Sequence, residues 1–472
     1  MYPAAKQKLY MAALQDIQSG RRVKSTVQPF PKIEKMTTKK YKAPRMIQAR
    51  HMTFNIEYGK FIKPLEETLF KHHYLRHHFG KGNYDEQARR IQLLASKYKY
   101  YTEADHSTFD AHITVEHLKL THTFYAACFK HNKELRALSS KTINNLCHSR
   151  YGDRYKVKGT RMSGDVDTSL GNSLINYAII KEMLARLNIK GDAIVNGDDS
   201  IIFTDQPIPT EEAKEIFRTM NMETEILPSV TNIHKVDFCQ ARLVYRNDGS
   251  VTMMMNPQRM YSKFGMTYKL TNYDYYLQYL HELTTCLMYS HLNTPVGYAW
   301  QQLSREKINF SKSPLKKFKY LDNALFCVME REQKSKISDN SFTHSMYMAY
   351  PDLDYWLHRI KNIRFRIHNL DYNIYIDHSI KTIHYHYIKS FSYNELGLAP
   401  DKKNKKNEKP SNKNDPQPRV IEKPSGDTRE PHVHGTENLY EERKIIIEAN
   451  SHMRTRRYEG DEDRFYWADD RE

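Results

Sequence analysis

Two runs of β-branched and apolar residues flank a Gly-Asp-Asp tripeptide in the first half of the chain. Residues 193–196 precede Gly197-Asp198-Asp199, and residues 200–203 follow it. This pattern predicts two antiparallel strands joined by a tight turn. Because hard cations such as Mg²⁺ take oxygen ligands, two carboxylates lifted off a sheet edge are suited to holding a divalent metal. The alternative is an ordinary hairpin, since Asp is common in turns.

A second stretch that reads as a strand also ends in carboxylates. Residues 98–104 form an apolar and aromatic run, which is followed by Asp105 and, five positions later, by Asp110. We expect Asp105 at the end of a strand and Asp110 where the chain turns toward a helix. A second carboxylate stretch of this kind weakens the alternative of an ordinary hairpin.

A polar loop lies between the two carboxylate stretches and leads into a helix. The loop covers residues 159–169, and Thr168 and Asn172 are four positions apart, so they share one face at the start of the helix. The helix is predicted by apolar side chains at helical spacing: Leu170, Leu174, Tyr177, Met183, Leu184 and Leu187.

At these residues the chain resembles the viral RNA-dependent RNA polymerases, specifically the tombusvirus-like group of positive-strand RNA viruses. Asp105-x4-Asp110 resembles motif A of that family, and Gly197-Asp198-Asp199 resembles motif C. Motif B is resembled by Ser163-Gly164-Asp165-x-x-Thr168-x-x-x-Asn172. Order and spacing both fit the family, so the three motifs together are specific where a lone Gly-Asp-Asp is not. The resemblance extends over about residues 40–260.

The resemblance implies roles for individual residues. Asp105 and Asp198 would bridge two Mg²⁺ (or Mn²⁺) ions, with Asp199 as a secondary ligand, during attack of an RNA 3′-hydroxyl on a nucleotide α-phosphate. Gly164 would let its loop flex around the template. A further set would hydrogen-bond the ribose hydroxyls of the incoming nucleotide: Asp110, Ser163, Thr168 and Asn172. For the general acid toward pyrophosphate, Lys214 and Lys235 both remain candidates.

Basic residues cluster in the stretch before the first carboxylates. Residues 43–50 and 55–66 resemble motif F of the same family and the helix after it, where basic side chains hold the triphosphate. Arginine suits this role because its guanidinium can donate two hydrogen bonds to phosphate oxygens. Arg45 and Arg50 are the expected phosphate ligands, with Lys42 as a third candidate. The alternative is a solvated basic loop.

Signals after the Gly-Asp-Asp turn predict a helix and a hairpin. Residues 209–212 predict the start of a helix that runs to about Met220. Asn247-Asp248-Gly249 between apolar runs predicts a hairpin, whose first strand we expect to begin near Val236. The run around Cys239 resembles motif E, the primer-grip hairpin, so we expect Cys239 to be structural.

Charge and cysteine usage restrict the class of protein. Lys and Arg outnumber Asp and Glu by 73 to 56, which gives a formal net charge of +17 and favours a polyanionic partner. No apolar run reaches the roughly 18–20 residues that span a bilayer, and no signal-peptide core is present. The cysteines are scattered and unpaired in spacing, which argues for reduced thiols and against a zinc site or a disulfide framework; they are Cys128, Cys147, Cys239, Cys286 and Cys327.

The resemblance implies an α+β fold of the right-hand polymerase type, with an antiparallel palm sheet, partial fingers and a helical thumb. We expect helices over residues 66–97 and 111–150 and a mostly helical region over 256–395. The polar, Lys- and Pro-rich composition from Pro400 predicts disorder. The predicted divisions are an N-terminal fingers portion with motif F (1–97), a palm with motifs A to E and some fingers insertion at 111–158 (98–255), a thumb (256–398) and a disordered tail (399–472).

The function that the resemblance implies is RNA-templated RNA synthesis for a positive-strand RNA virus. Its partners would be template and nascent RNA, NTPs and a viral membrane-associated replication protein, which would recruit the chain from the host cytoplasm to membrane-bound replication complexes. One alternative is an RNA-binding replicase subunit that is inactive without upstream fingers sequence, since motif F begins about 40 residues from Met1. The other is a reverse transcriptase, against which Gly197, Asp110 and Asn172 count. Host, promoter, mode of initiation and oligomeric state stay open.

Overall fold

The computed structural model describes residues 4–32, 45–150, 152–265, 273–307, 341–368, 374–377 and 382–386. Helices and strands are mixed along the chain, and the strand pairs are predominantly antiparallel, which confirms the predicted α+β class. The helices are α1 (Ala4–Gln18), α2 (Met52–Lys71), α3 (Tyr84–Ala95), α4 (Phe109–His112), α5 (Val115–Cys128), α6 (Lys133–Ser140), α7 (Thr168–Arg186), α8 (Thr210–Thr219), α9 (Pro257–Lys263), α10 (Tyr273–Ser290), α11 (Pro295–Lys307), α12 (His344–Ala349) and α13 (Leu353–Lys361). The strands are β1 (Val27–Pro31), β2 (Met46–Arg50), β3 (Tyr100–His106), β4 (Asn144–His148), β5 (Arg154–Lys158), β6 (Gly191–Asn196), β7 (Asp199–Thr204), β8 (Thr224–Ile226), β9 (Ala241–Tyr245), β10 (Val251–Met255), β11 (Arg364–His368), β12 (Ile374–Asp377) and β13 (Thr382–His386).

A four-stranded antiparallel sheet, the central sheet, has the order β6-β7-β3-β8. Strands β6 and β7 are joined by the turn at Gly197, whose φ of +66° lies in the left-handed region that glycine adopts without a steric penalty. The hairpin predicted from the Gly-Asp-Asp pattern and the strand before Asp105 are therefore confirmed. So are the helix after the polar loop, which is α7, and the helix after Pro209, which is α8.

Each face of the central sheet is covered by its own core. Successive side chains of a strand point to opposite faces; Ala193 and Val195 therefore face a core shared with α7 and α8, and Ile194 faces the other side. The second core is shared with α3 and with the hairpin β9–β10, and it contains the fully buried Phe203. Because both faces are covered, the ends of the strands are where polar groups reach solvent.

The second sheet, here the N-terminal sheet, has the order β2-β1-β4-β5. The prediction of helix throughout residues 111–150 was wrong at its end, since Asn144–His148 is β4 and pairs antiparallel with β5. Asn145 and Cys147 are buried while Asn144 and Leu146 are exposed, so the strand has the alternation of a half-buried sheet. Its pairing with β1, more than 100 positions earlier, is not visible in any local sequence window.

The prediction of helix throughout residues 66–97 was also wrong. Helix α2 ends at Lys71, a 3-10 helix covers Leu75–His78, and α3 begins at Tyr84. The side chain of Asn83 accepts a hydrogen bond from the Glu86 backbone N–H, and the Glu86 carboxylate accepts one from the Asn83 N–H. This capping box starts a new helix at Tyr84, within the range where one continuous helix was expected.

The region after the central sheet contains a hairpin, a helical core and a third sheet. The hairpin β9–β10 turns at Asn247-Asp248-Gly249 as predicted, but β9 begins at Ala241 and not near Val236. Around the fully buried Trp300, helices α9 to α13 form one core. The described residues of 256–395 are mostly helical, as expected, but β11, β12 and β13 add a three-stranded sheet that was not predicted. The predicted disordered tail, residues 399–472, lies outside the described residues. Within the parts that are described, no helix combines the length and apolar character needed to cross a membrane.

Candidate active site

Three carboxylates from two strands and one turn lie at the same edge of the central sheet. Ala104 of β3 pairs with Ser200 of β7, so the next residue of β3, Asp105, comes opposite Asp199 at the start of β7. Asp198 belongs to the turn that precedes Asp199. The side chains of Asp105 and Asp199 are exposed and Asp198 is half-buried. The sheet register thus brings together the residues that the sequence singled out as metal ligands.

The residue chemistry at this edge fits a hard divalent cation that is also bound by substrate. Among the described residues, no three His, Cys, Asp or Glu side chains are grouped closely enough to hold a metal ion by themselves. Mg²⁺ is usually bound by one or two carboxylates, with waters and substrate phosphates completing its six ligands. Asp105 and Asp199 are exposed carboxylates at strand ends, which is the kind of ligand that a protein contributes to such a set.

Helix α7 holds the Gly-Asp-Asp turn through two polar side chains. The Ser173 Oγ accepts a hydrogen bond from the Gly197 N–H at 2.9 Å. The Asn176 Nδ2 donates to the carbonyl oxygens of Gly197, at 3.0 Å, and of Asp198, at 2.9 Å. Ser173 and Asn176 are both fully buried. The backbone on both sides of the turn is therefore fixed by side chains of one helix.

A buried histidine lies behind Asn176 and was missed by sequence reasoning. The His106 Nε2 lies 3.1 Å from the Asn176 Oδ1, and its Nδ1 lies 2.8 Å from the Thr224 Oγ1. Burial lowers the pKa of His106 to about 4, so the ring is neutral at physiological pH. Because the Asn176 Nδ2 is used by the turn, its Oδ1 must accept, which puts the proton of His106 on Nε2. The sequence position could have indicated that His106 is buried. Side chains alternate between the two faces of a strand, and His106 directly follows the exposed Asp105.

Cys239 lies beside the same edge, next to Asp199. Its Sγ accepts a hydrogen bond from the Asn196 Nδ2 at 3.2 Å. Burial, together with the neighbouring Asp199 carboxylate, raises the pKa of the Cys239 thiol to about 12. A thiol that stays protonated is a poor nucleophile, so the structural role expected for Cys239 agrees with its surroundings.

Two of the residues expected to bind ribose are brought into direct contact. The Asn172 Nδ2, in the first turns of α7, donates to the Asp110 Oδ1 at 2.7 Å. Asp110 lies in the short helix α4 that follows β3, as the sequence predicted. The pair therefore joins the polar start of α7 to the segment that follows Asp105.

The other two expected ribose ligands have different partners. The Thr168 Oγ1 donates to the Asp165 carbonyl oxygen at 2.8 Å and so closes its own loop. The Ser163 Oγ accepts a hydrogen bond from the Gln48 N–H of β2 at 3.0 Å. In the described structure neither hydroxyl is bonded to Asp110 or Asn172. Both hydroxyls help to fold the loop before α7, and their expected contact with ribose stays a prediction.

Gly164 is required by a close approach of two backbones. Its N–H donates to the Gln48 carbonyl oxygen at 3.2 Å, so the loop lies along the edge strand β2. A Cβ at this position would lie 2.8 Å from the Ala49 Cα. The structure gives Gly164 this steric reason, and the expected flexibility of its loop around a template stays a prediction.

Arg50 is used inside the protein and not at a phosphate site. Its Nε lies 2.6 Å from the Asp165 Oδ1, and its Nη2 donates to Asn145 Oδ1 at 2.7 Å and to Asp165 Oδ2 at 2.9 Å. Burial disfavours its charge, but the Asp165 carboxylate more than offsets this effect and raises the pKa of Arg50. The triphosphate role expected for Arg50 is therefore replaced by a buried ion pair. Arg45 is exposed just before β2, and Lys42 lies outside the described residues.

A second buried ion pair connects to the Asp110–Asn172 contact. The Arg161 Nη1 lies 2.7 Å from the Asp167 Oδ2, with no exposed side-chain surface on either residue. The Arg161 Nε donates to the Asn172 Oδ1 at 3.2 Å. Burial disfavours the guanidinium charge, but Asp167 outweighs it and raises the pKa of Arg161. Sequence reasoning missed both partners, although both belong to the polar loop that it singled out.

Comparison with known proteins agrees with the motifs. The model for the family of viral RNA dependent RNA polymerases matches residues 1–350. The RNA-directed RNA polymerase of Oat chlorotic stunt virus (isolate United Kingdom) is 31% identical over 287 residues, which are 55% of this chain and 37% of the relative. That of Groundnut rosette virus (strain MC1) is 33% identical over 235 residues, 46% of this chain and 28% of the relative. That of Tobacco necrosis virus (strain A) is 32% identical over 244 residues, 48% of this chain and 33% of the relative.

The chain spans about a third of the length of these three relatives. The match to the family covers most of the chain, however, and it includes the central sheet, α7 and the Gly-Asp-Asp turn. The chain belongs to the family of viral RNA-dependent RNA polymerases.

Proposed function

We propose that this chain carries the catalytic centre of an RNA-templated RNA polymerase of a positive-strand RNA virus. The observation that carries the proposal is the meeting of Asp105, Asp198 and Asp199 at one edge of the central sheet. In the reaction the 3′-hydroxyl oxygen of the growing RNA attacks the α-phosphate of an NTP. A phosphodiester bond forms, the bond to pyrophosphate breaks, and the hydroxyl proton leaves.

Two Mg²⁺ (or Mn²⁺) ions would be held by Asp105 and Asp198, with Asp199 assisting. When bound, such ions activate the hydroxyl and neutralise charge on the leaving pyrophosphate. The protein itself contributes by positioning these carboxylates. Asn176 and Ser173 hold the turn, and the register of β3 against β7 sets the spacing between the two strands.

The Asp110–Asn172 pair would recognise the 2′-hydroxyl of the incoming nucleotide. A 2′-hydroxyl can both donate and accept a hydrogen bond. Asp110 offers a carboxylate acceptor and Asn172 an amide donor, held 2.7 Å apart. A ribose, whose 2′-hydroxyl can bond to both groups, fits this pair better than a deoxyribose, which lacks that hydroxyl.

The right-hand division gives each part of the chain a role. Residues 98–255 would be the palm, since they contain the central sheet and the β9–β10 hairpin; 1–97 would be the N-terminal fingers portion and 256–398 the thumb. The insertion at 111–158 would belong to the fingers, which is supported by the pairing of β4, within it, with β1. Arg45 stays the proposed ligand of the triphosphate, and Lys42 the further candidate.

Template RNA, nascent RNA and NTPs are the proposed partners, in line with the net charge of +17. A viral membrane-associated replication protein is a further proposed partner. It would recruit the chain from the host cytoplasm to membrane-bound replication complexes.

The proposal is tested by RNA synthesis on a primed single-stranded RNA template of defined sequence, with Mg²⁺ or Mn²⁺. Wild type should make a product complementary to the template, and Asp198→Asn should not. Asp205→Asn is the matched control, because Asp205 follows the far end of β7 and makes only a half-exposed ion pair with Lys190. Equal synthesis by wild type and Asp198→Asn would overturn the catalytic assignment. RNA binding without synthesis in wild type would favour a subunit whose catalysis lies elsewhere.

A further inference from the structure

We propose that Arg161 is a positioning residue for ribonucleotide selectivity, because it fixes both members of the Asp110–Asn172 pair. The inference rests on the proposed function, in which that pair recognises the 2′-hydroxyl. It adds a residue that would not touch the nucleotide, and it assigns that residue a measurable effect on the choice between ribose and deoxyribose.

Arg161 contacts each member of the pair by a different group. Its backbone N–H donates to the Asp110 carbonyl oxygen at 2.9 Å. Its side-chain Nε donates to the Asn172 Oδ1 at 3.2 Å. One residue therefore sets the distance between the backbone that carries the carboxylate and the amide that faces it.

The contact of Arg161 with Asn172 also fixes which end of the amide faces Asp110. An amide oxygen only accepts hydrogen bonds, and an amide nitrogen only donates them. With Oδ1 held by the Arg161 Nε, Nδ2 is the end that reaches Asp110, at 2.7 Å. A rotated amide would set Oδ1 against the carboxylate and Nδ2 against the guanidinium, so it would lose both contacts. The donor presented at this position is thus kept in place even when a hydroxyl competes for Asp110.

The surroundings of Arg161 hold its guanidinium in one position. Asp167 binds Nη1 at 2.7 Å, and the Tyr125 hydroxyl donates to the same carboxylate oxygen of Asp167 at 3.3 Å. Gly171 leaves the space that the guanidinium occupies beside α7, since a Cβ there would lie 2.9 Å from the Arg161 Cζ and closer still to Nη2. Arg161 is 2% exposed, so solvent does not compete for these contacts.

The test measures selectivity, which a merely structural role would not change. The readout is the ratio of kcat/KM for CTP to that for dCTP in single-nucleotide addition on a primed RNA template. Arg161→Lys keeps a charge for Asp167 but lacks the guanidinium Nε–H, and we expect the ratio to fall about tenfold, the effect of one hydrogen bond. Tyr58→Phe is the matched control, because it removes a fully buried hydroxyl that bonds to Ser139 and is not one of the contacts that hold Arg161. It should lower the melting temperature and leave the ratio unchanged.

A second variant covers the case in which Arg161→Lys does not fold. Gly171→Ala keeps Arg161 but displaces its guanidinium, so the ratio should fall here also. Asn172→Ala, measured in the same assay, distinguishes the proposed ribose recognition by Asn172 from the positioning role of Arg161. If Asn172→Ala leaves the ratio unchanged, the proposed ribose recognition fails and the inference fails with it. If Asn172→Ala lowers the ratio but Arg161→Lys and Gly171→Ala do not, only the role of Arg161 is overturned.

Discussion

The side-chain amide of Asn176 lies 2.9 Å from the backbone carbonyl oxygen of Asp198. A residue in the middle of a helix thereby fixes the Gly-Asp-Asp turn at the edge of the central sheet, where Asp105 also lies. The amide is in turn oriented by His106, which is held by Thr224. This buried chain of hydrogen bonds connects the strand that carries Asp105 to the turn that carries Asp198.

Two substitutions of His106 should separate its contact with Asn176 from its contact with Thr224. In His106→Gln, the amide nitrogen of the new side chain can take the place of Nε2 and donate to the Asn176 Oδ1. The side chain in His106→Asn is shorter and can replace only Nδ1, so the Asn176 Oδ1 loses its hydrogen-bond donor. We expect both variants to lower the melting temperature, and His106→Asn to lower the rate of nucleotide addition about tenfold more than His106→Gln. Single-nucleotide addition at saturating NTP measures this. An equal or larger loss in His106→Gln would contradict the account.

The buried Arg50–Asp165 pair should contribute to stability and not to nucleotide affinity. Removing one partner leaves an uncompensated buried charge, which typically costs about 3–5 kcal/mol. Asp165→Asn should therefore lower the free energy of unfolding by that amount in urea titration. Glu211→Gln, which removes an exposed pair with Lys214, should change it by less than about 1 kcal/mol.

Substitutions of the two arginines in the predicted motif F should therefore affect different properties, stability for Arg50 and NTP binding for Arg45. Arg50→Gln should lower the melting temperature, since it breaks the same pair from the other side. Arg45→Gln, at an exposed position, should keep the melting temperature and raise KM for NTPs. The opposite pattern, with KM raised only in Arg50→Gln, would restore the phosphate role to Arg50.

A methyl group at Gly164 should be costly, because its Cβ would lie 2.8 Å from the Ala49 Cα, closer than side chains pack. We expect Gly164→Ala to lower the free energy of unfolding by about 1–3 kcal/mol, as in other overpacked sites. Gly59→Ala is the control: it lies in α2, where the nearest atom outside the helix is 3.5 Å away, and alanine favours helix. Gly59→Ala should be neutral or stabilising. Calorimetry on both variants measures the contrast, and equal melting temperatures would contradict it.

Two buried histidines, His106 and His291, and the half-buried His122 should make the fold sensitive to acid. Burial lowers the pKa of His106, His122 and His291 to about 4. The unfolded chain takes up these protons near pH 6.5, so between pH 6.5 and 4 it binds more protons than the folded chain. Their contribution to stability is therefore complete above pH 6.5 and is lost as the pH falls toward 4. Melting temperatures between pH 7.5 and 5 should fall with decreasing pH, and a smaller slope is expected in His122→Gln. A melting temperature that stays constant over this range would contradict the account.

The sequence predicted the parts of the site whose signals are local. The turn at Gly197, the strand before Asp105 and the helix that begins at Thr168 each show their periodicity within a few residues. Partners far apart in the chain could not be predicted in this way. Arg50 and Asp165 are 115 positions apart, and β4 pairs with the distant β1.

The same distinction applies to the residues of the polar loop. Ser163, Gly164 and Thr168 were recognised by their resemblance to motif B, but that resemblance carries no information on the β2 edge strand beside the loop. His106 and Arg161 lie within or next to recognised motifs. Their roles depend on which side chain of α7 they contact, Asn176 for His106 and Asn172 for Arg161. These contacts are visible only in the packed structure.

The central claim is that the carboxylates of Asp105, in strand β3, and of Asp198, in the turn before β7, act as one catalytic unit. It is tested most directly by single-nucleotide addition with Asp105→Asn, Asp198→Asn and the double variant, with RNA affinity measured in parallel. Groups that act together are strongly non-additive, so each single variant should lose about as much activity as the double variant, while RNA affinity stays close to that of wild type. Losses that multiply in the double variant, or near-normal addition by either single variant, would contradict the claim.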